Sequence, residues 1–217
     1  ITYIPGLYKI YDEIIVNAID HYVRLKLAIQ NDVYDKIYQV TNIMVDINKD
    51  SGLTTVYNDG DGIDIVKHKK YKIFIPSLIF GELLTSSNYN KKEEKITGGK
   101  NGYGAKLTNI FSKSFNISTI DHNRHIFFQQ EFRNNMKYKG KPIIRNETSH
   151  PFTKISYIPD FKKFNIKGYT EDMIALMTKR VYDVAAWTDS TVNVYLNGKK
   201  ITAKSFEKYI KLYLKKK

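Results

Sequence analysis

Three polar residues, Glu13, Asn17 and Asp20, form a stripe along one side of a segment with helical periodicity. Glu13 and Asn17 are four residues apart, so on a helix their side chains reach the same point in space. A carboxylate beside an amide oxygen suits Mg²⁺, which takes a few hard oxygen ligands and keeps its waters. The same carboxylate could orient and deprotonate an attacking water. Taken alone, however, the stripe is more typical of an ordinary solvated helix face.

A glycine turn follows the second predicted strand, in residues 57–63 (YNDGDGI). Its two spaced glycines would let the backbone approach a flat ligand, and Asn58 can present an acceptor to an exocyclic amine. A calcium loop is excluded, because its first and twelfth positions would be Tyr57 and His68, which supply no carboxylate. For this motif alone, a plain turn is as good an interpretation as a binding site.

The segment 97–106 (TGGKNGYGAK) is glycine-rich and leads into a predicted helix. Such a loop gathers free backbone N–H groups at a helix N-terminus, where phosphate is favoured, and Lys106 adds a positive charge. No Gly-Lys-Ser/Thr follows at P-loop spacing, and a dinucleotide fingerprint would need a third glycine where Leu107 stands. The remaining alternative is a glycine-rich linker, against which the lysines and the following helix weigh.

The elements that must position these motifs are predicted from periodicity and turn residues. A first helix is predicted over 5–29, and Pro5 suits its first turn. Further helices are predicted over 76–84, 103–111 and 171–186, and from 205 onward. Strands are predicted at 38–47, 53–57, 114–120, 125–132, 137–145, 153–159 and 192–196, with turns at 48–52 and 197–198.

The arrangement of these elements indicates the fold class. Strands that pair as hairpins come in groups between helices, and a regular strand–helix–strand repeat is absent. This pattern argues against a doubly wound parallel sheet and predicts an α+β fold, with a mixed, mostly antiparallel sheet backed by helices. Residues 85–104 are too long and too polar for an ordinary connection, so we expect a functional lid or a disordered loop there.

Composition narrows the function classes. The chain has 217 residues, 42% of them apolar, which is enough for one substantial core. Without cysteine it can form no disulfide and no thiolate metal site. No apolar stretch approaches the roughly 18–20 residues of a membrane span, so we expect no membrane partner. The net charge of +13 favours a polyanionic partner such as nucleic acid, but a lysine-rich proteome explains it equally well.

The order of the three motifs resembles that of the Bergerat-fold (GHKL) ATPases, which include gyrase, a class of chaperones and mismatch-repair ATPases. The segment 8–18 (YKIYDEIIVNA) is similar almost residue for residue to the first motif of eukaryotic-type DNA topoisomerase II. Segments 84–89 (LTSSNY) and 97–106 are as specific, and the likeness continues through 152–155, 182–183 and 194–198. The resemblance therefore covers nearly the whole chain, and it implies a two-layer α/β sandwich.

The resemblance implies a role for each matching residue. Glu13 would be the general base that activates water, and Asn17 would ligate Mg²⁺ between the triphosphate and the protein. Asn58 would read the adenine amine, with Thr153 supporting the pocket from the next strand. The ribose and phosphates would be contacted by Ser86, Ser87 and Asn88, and by a lid that comprises Gly99, Lys100, Asn101, Gly102, Tyr103, Gly104, Ala105 and Lys106.

One position departs from the family motif, which usually ends in Asp-Asn, because here Asp20 is followed by His21. We expect His21, at the border of the apolar stripe, to be packed rather than catalytic. The departure concerns the surroundings of the pocket and not the base.

The resemblance also implies the activity of the whole enzyme. A type II topoisomerase hydrolyses ATP with Mg²⁺ to pass one DNA duplex through another, works as a homodimer, and acts in the nucleus, or inside the cell or virion if viral. Residues 1–213 are expected to form the ATP-binding subdomain and 214–217 a basic tail. With the N-terminal arm and transducer domain missing, the chain alone should hydrolyse ATP poorly. The alternatives are another Bergerat-fold ATPase, of the chaperone or mismatch-repair type, and a DNA-binding fragment with weak catalysis.

Overall fold

The computed structural model describes residues 1–31, 37–82 and 103–214. Over these ranges the chain forms a sheet whose strands are β1 (Asn42–Ile47), β2 (Thr54–Asp59), β3 (Ser112–Asp121), β4 (Ile126–Arg133), β5 (Tyr138–Lys139), β6 (Ile143–Asn146), β7 (Phe152–Pro159), β8 (Asn193–Leu196) and β9 (Lys199–Lys200). The helices are α1 (Pro5–Gln30), α2 (Ile75–Gly81), α3 (Gly104–Ile110), α4 (Glu171–Trp187) and α5 (Phe206–Lys211), with a 3-10 helix at Phe161–Phe164. No helix in these ranges is both long and apolar enough to cross a membrane.

The strands lie in the order β5-β4-β3-β7-β2-β1-β8-β9, and β6 pairs with β4 beside β5. The described pairings are antiparallel except that of β1 with β8, which is parallel. The mixed, mostly antiparallel sheet backed by helices is therefore confirmed. Along β3, Phe115, Ile117 and Thr119 are fully buried, whereas Ser114, Asn116 and Ser118 are partly exposed, because strand side chains alternate between the two faces.

The first helix forms as its periodicity predicts. It begins at Pro5, and its buried face contains Leu7, Ile10, Ile14 and Leu25 among others. A hydrogen bond joins it to α4: the Tyr11 hydroxyl donates to the Met177 carbonyl at 2.9 Å. Arg180 adds an ion pair with Asp12, with 2.7 Å between Nε and Oδ1. These contacts hold the helix that carries Glu13 in a fixed position on the core.

Both predicted turns join antiparallel strands. The turn at 48–52 connects β1 to β2, with Gly52 at φ +75°. Between β8 and β9, Asn197 and Gly198 have φ values of 47° and 73°, which is the geometry of a two-residue turn that matches strand twist.

The single strand predicted over 137–145 is wrong, because the structure divides it into β5 and β6. The Gly140 amide donates to the Glu131 carbonyl at 2.8 Å, and Pro142 has no N–H to continue the ladder. The first strand also begins later than predicted. The Tyr38 amide donates to the Asp61 carboxylate, and the Thr41 amide donates to the Asp59 carboxylate. These amides therefore bond to side chains and not to the backbone of a neighbouring strand.

Candidate active site

The structure places Glu13 directly against the start of α3. A methyl group built on Gly104 would lie 1.7 Å from Oε2 of Glu13 and 2.3 Å from its Cδ. Only a residue without a side chain therefore fits at Gly104 while Glu13 keeps this position. The carboxylate predicted to be the base and the helix that follows the glycine-rich segment thus meet at one point.

Two buried hydrogen bonds fix α3 in this place. Thr108 donates from Oγ1 to the Ile10 carbonyl of α1 at 2.8 Å. Asn109 donates from Nδ2 to the Phe80 carbonyl of α2 at 2.9 Å. Breaking either bond would leave a buried polar group unsatisfied, so the Thr108 bond holds α3 against α1 and the Asn109 bond holds it against α2.

The lid residues that the structure describes lie at the beginning of α3. Tyr103 is the residue before the helix, and Ala105 and Lys106 are buried. Burial lowers the pKa of the Lys106 ammonium, because the charged form loses hydration. The other predicted contacts, Ser86, Ser87, Asn88, Gly99, Lys100, Asn101 and Gly102, lie outside the described residues.

Asn17 lies one helical turn beyond Glu13 and is exposed. Asp20 lines a groove of about 350 Å³ between α1 and α4, together with Arg180 and Trp187. Among the described residues, none of those predicted to bind nucleotide lines this groove. Within the polar stripe, Glu13 therefore lies against the start of α3, and Asp20 lines the groove beside α4.

The other end of the site is at the end of β2. Asn58 is 5% exposed, and its Nδ2 donates to the Asp59 carbonyl at 2.8 Å. This bond fixes the orientation of the amide, and none of the described hydrogen bonds reaches its Oδ1. Thr153 lies directly opposite Asn58 on β7. The amide oxygen is therefore available as an acceptor beside a threonine, and its role toward adenine stays a prediction.

The two glycines of the turn are required by the backbone. Gly60 has φ +97°, which disfavours any side chain, and a methyl group there would lie 2.8 Å from Val40 and 3.1 Å from Leu25. A methyl group on Gly62 would lie 1.7 Å from the Ile120 carbonyl oxygen. Both close approaches are within the protein, at Gly60 to the side chains of Val40 and Leu25 and at Gly62 to the backbone of β3. The approach of a flat ligand to this turn stays a prediction.

The two carboxylates of the turn are used within the protein. Asp59 accepts four hydrogen bonds of 2.6–2.8 Å from the main chain and side chains of Thr41 and Asn42. Asp61 accepts from the Tyr38 amide at 2.9 Å and lies 3.4 Å from Nδ1 of His122. These contacts stabilise the turn and agree with the exclusion of a calcium loop.

His21 is packed, as its position on the helix predicts. It is buried, and Arg24 donates from Nη2 to its Nδ1 at 2.6 Å. Burial, followed by the nearby charge of Arg24, lowers the pKa of His21 to about 4. The imidazole is therefore neutral near pH 7 and acts as part of the core beneath the site.

Sequence reasoning missed Lys9, whose Nζ lies 2.6 Å from Oε1 of Glu13. The sequence spacing could have predicted this ion pair, since Lys9 precedes Glu13 by four residues and side chains at that spacing meet on a helix. It also missed Thr108, because its contact with Ile10 joins residues far apart in the sequence.

Comparison with known proteins identifies the relatives of this chain. No protein-family model matches it. DNA topoisomerase 2 of Acanthamoeba polyphaga mimivirus is 50% identical over 214 residues, which are 98% of this chain and 16% of that protein. The crystal structure of the ATPase region of Saccharomyces cerevisiae topoisomerase II superposes with a TM-score of 0.88 at 42% identity, over 98% of this chain and 53% of that one.

A more distant structure shares the fold alone. The 43K ATPase domain of Thermus thermophilus gyrase B superposes with a TM-score of 0.62 at 18% identity, over 90% of this chain and 44% of that one. The chain spans about a sixth of the length of the mimivirus relative. Over that span, the chain belongs to the eukaryotic-type DNA topoisomerase II family, as part of its Bergerat-fold ATPase region.

Proposed function

We propose that this chain is the ATP-binding and hydrolysing module of a type II DNA topoisomerase, which uses ATP to pass one DNA duplex through another. The contact of Gly104 with Glu13 carries the proposal. A terminal phosphate held at the start of α3 would lie beside a carboxylate that can orient and deprotonate water. The relatives supply the link to DNA, because they are DNA topoisomerases.

The nucleotide would lie along α1, with adenine at Asn58 and its terminal phosphate near Glu13. The turn at Gly60 packs against Leu25, near the C-terminal end of α1. Glu13 precedes Leu25 by twelve residues, about 18 Å along a helix axis. One rigid helix therefore connects the adenine end of the site to the hydrolytic end.

The donor set near Glu13 fits Mg²⁺. The described residues include no cluster of three or more His, Cys, Asp or Glu side chains that could hold a metal ion. A single exposed amide oxygen on Asn17 suits an ion that takes most of its ligands from phosphates and water. Bound there, Mg²⁺ would neutralise phosphate charge, while Asn17 positions the ion and Glu13 accepts the proton from water.

The remaining assignments follow the family. Ser86, Ser87 and Asn88 would contact ribose and phosphates, and the segment 99–106 would close over the triphosphate, with Lys106 supplying charge. Residues 1–213 would act as one subdomain of a larger homodimer. The enzyme would act on DNA in the nucleus if its source is cellular.

The test is Glu13→Ala. We expect ATP affinity to stay within a few-fold of the parent, while turnover falls by about two orders of magnitude or more, the typical contribution of a general base. Affinity is measured with a fluorescent ATP analogue, and turnover with radiolabelled ATP, which detects slow hydrolysis.

Glu207→Ala is the matched control, since Glu207 also pairs with a lysine four residues away on a helix but is far more exposed. It should leave turnover unchanged. Hydrolysis by the Glu13 variant at the parental rate would show that another group is the base.

A further inference from the structure

A short loop before α2 carries an unusual density of positive charge. Residues 67–72 (KHKKYK), called here the basic prong, contain Lys67, Lys69, Lys70 and Lys72 and no carboxylate. All four lysines are exposed, and none has an ion pair with a carboxylate among the described residues. The nearest carboxylate before the loop, Asp64, is paired with Arg124 at 2.9 Å. The charge of the prong is therefore not neutralised by these contacts.

The prong is held in one shape by its own backbone. The His68 amide donates to the Ile73 carbonyl at 2.8 Å, and the Lys72 amide donates to the His68 carbonyl at 2.9 Å. The His68 imidazole accepts from the amides of Lys70 and Tyr71 through Nδ1, at 3.2 and 3.3 Å. A loop fixed in this way presents its lysines from a defined platform, which reduces the conformational entropy lost on binding.

A second group of cations lies next to the prong, along the β4 side of the sheet. The Phe74 ring, just after the prong, lies 6.1 Å from that of Phe128, which pairs with Ile144 of β6. At the other end of α2, Lys139 of β5 pairs with Glu82 at 2.6 Å. This border also carries the exposed cations Lys137 and Lys141, together with Arg133 and Arg145, which pair with Glu131 and Glu147. The prong and residues 133–145, together called the basic edge, thus form one cationic border of the sheet.

Protection of the sheet edge does not account for this charge. Lysines on edge strands discourage pairing with another chain, and Lys139 can serve that purpose. The prong lies outside the ladder of β4, β5 and β6, however, so its four lysines protect no strand.

The exposed aromatic rings of the basic edge favour a duplex over a single strand. Lys70 lies over the Tyr71 ring at 5.5 Å, and His68 contacts the same ring at 4.9 Å between centroids. The Arg133 guanidinium lies over Tyr138 at 5.7 Å. Single-stranded nucleic acid is bound mainly by stacking bases on open aromatic faces. The rings of Tyr71 and Tyr138 are exposed, but each already has a cation over it, which leaves less aromatic surface for stacking bases.

We propose that the basic edge binds the phosphate backbone of duplex DNA, with the prong as its main contact. The choice of DNA as partner depends on the proposed function, whereas the surface itself is defined by charge and geometry. Each lysine that neutralises a phosphate releases counterions, so binding should be independent of base sequence and should weaken steeply with salt.

The test compares two variants with the same change in charge. In the first, Lys67, Lys69, Lys70 and Lys72 are replaced by glutamine. The control replaces four exposed lysines elsewhere, two in the 3-10 helix and two in β9 at the opposite edge of the sheet: Lys162, Lys163, Lys199 and Lys200. Binding to a fluorescent duplex is measured by anisotropy across a salt series, and thermal unfolding verifies that both variants fold.

We expect the prong variant to bind at least about tenfold more weakly at 0.1 M salt, with the slope of log affinity against log salt flatter by roughly 3 to 4. The control variant should keep most of the affinity for the duplex and most of the salt slope. Replacing the four prong lysines by arginine should preserve binding.

An equal loss of duplex affinity in the prong variant and in the control variant would overturn the proposal, because the net charge of the chain would then account for the binding. Absence of duplex binding by the parent chain, or binding only to phosphatidylserine vesicles, would also overturn it. ATP hydrolysis is measured in parallel on the same variants. If duplex binding fails while ATP hydrolysis is intact, this proposal fails and the function proposed above stands. If hydrolysis fails while duplex binding is intact, the proposed function fails and this proposal stands.

Discussion

Replacement of Gly104 by alanine tests how closely the base depends on its neighbour. The new methyl carbon would lie 1.7 Å from Oε2 of Glu13, whereas a carbon–oxygen contact normally needs about 3.3 Å. The carboxylate must therefore move by roughly 1.5 Å. It is the far end of a flexible side chain, so it can move without disturbing the backbone of α1.

The expected result is a loss of turnover without a loss of stability. A misplacement of about 1 Å can cost 10²-fold in rate, so we expect kcat to fall by about 10²-fold, or about 2.7 kcal/mol of barrier. Gly104 has no positive φ and begins a helix, where alanine is favoured over glycine by up to about 1 kcal/mol. The free energy of unfolding should therefore stay equal or rise slightly.

The assay is single-turnover hydrolysis of radiolabelled ATP, with urea unfolding measured on the same preparations. Gly168→Ala is the control, since a methyl group there meets nothing within 4 Å. If the Gly104 variant binds ATP and hydrolyses it at the parental rate, the contact with Glu13 has no part in catalysis and the reasoning fails.

Two further predictions concern stability. In Gly62→Ala the methyl group would meet the Ile120 carbonyl, which belongs to a strand that is paired on both sides and cannot move away. We therefore expect urea unfolding to show a free energy of unfolding that is lower by about 3 kcal/mol or more. A decrease below about 1 kcal/mol would contradict this close approach. The pKa of His21 is about 4 in the folded chain, compared with an ordinary value of 6.5. Between these pH values the unfolded chain binds the proton more readily than the folded chain. The free energy of unfolding should therefore fall by roughly 3 kcal/mol as the pH drops from 6.5 to 4. His21→Asn should flatten that part of the pH profile relative to the parent.

The local elements were predictable wherever one strong signal decided them. The apolar spacing on α1 and the Asn197-Gly198 turn each indicate one structure, and both were confirmed. The strand predicted over 137–145 failed because Gly140 and Pro142 interrupt a pattern that otherwise reads as continuous. There the turn residues decide the structure over the alternation of apolar and polar residues, since a proline has no N–H with which to continue the hydrogen bonds of a sheet.

The site was predictable in its parts but not in its contacts. The spacing of Glu13 and Asn17 fixes their relation on one helix. That Gly104 would touch Glu13 depends on how α3 packs on α1, through a bond from Thr108 to Ile10 across 98 residues. Periodicity contains no information about such a pairing, because it describes each helix separately.

The parallel pairing of β1 with β8 has a consequence for synthesis of the chain. Asn42 and Asn193 are neighbours in the sheet but 151 residues apart in the sequence. At about 5–20 residues per second, a ribosome needs roughly 8–30 s to add the segment between them. During that interval the outer side of β1 has its backbone groups unpaired, in a nascent chain that already contains β2, β3, β4 and β7. A chain that stalls before residue 193 would therefore expose a strand edge able to pair with another molecule.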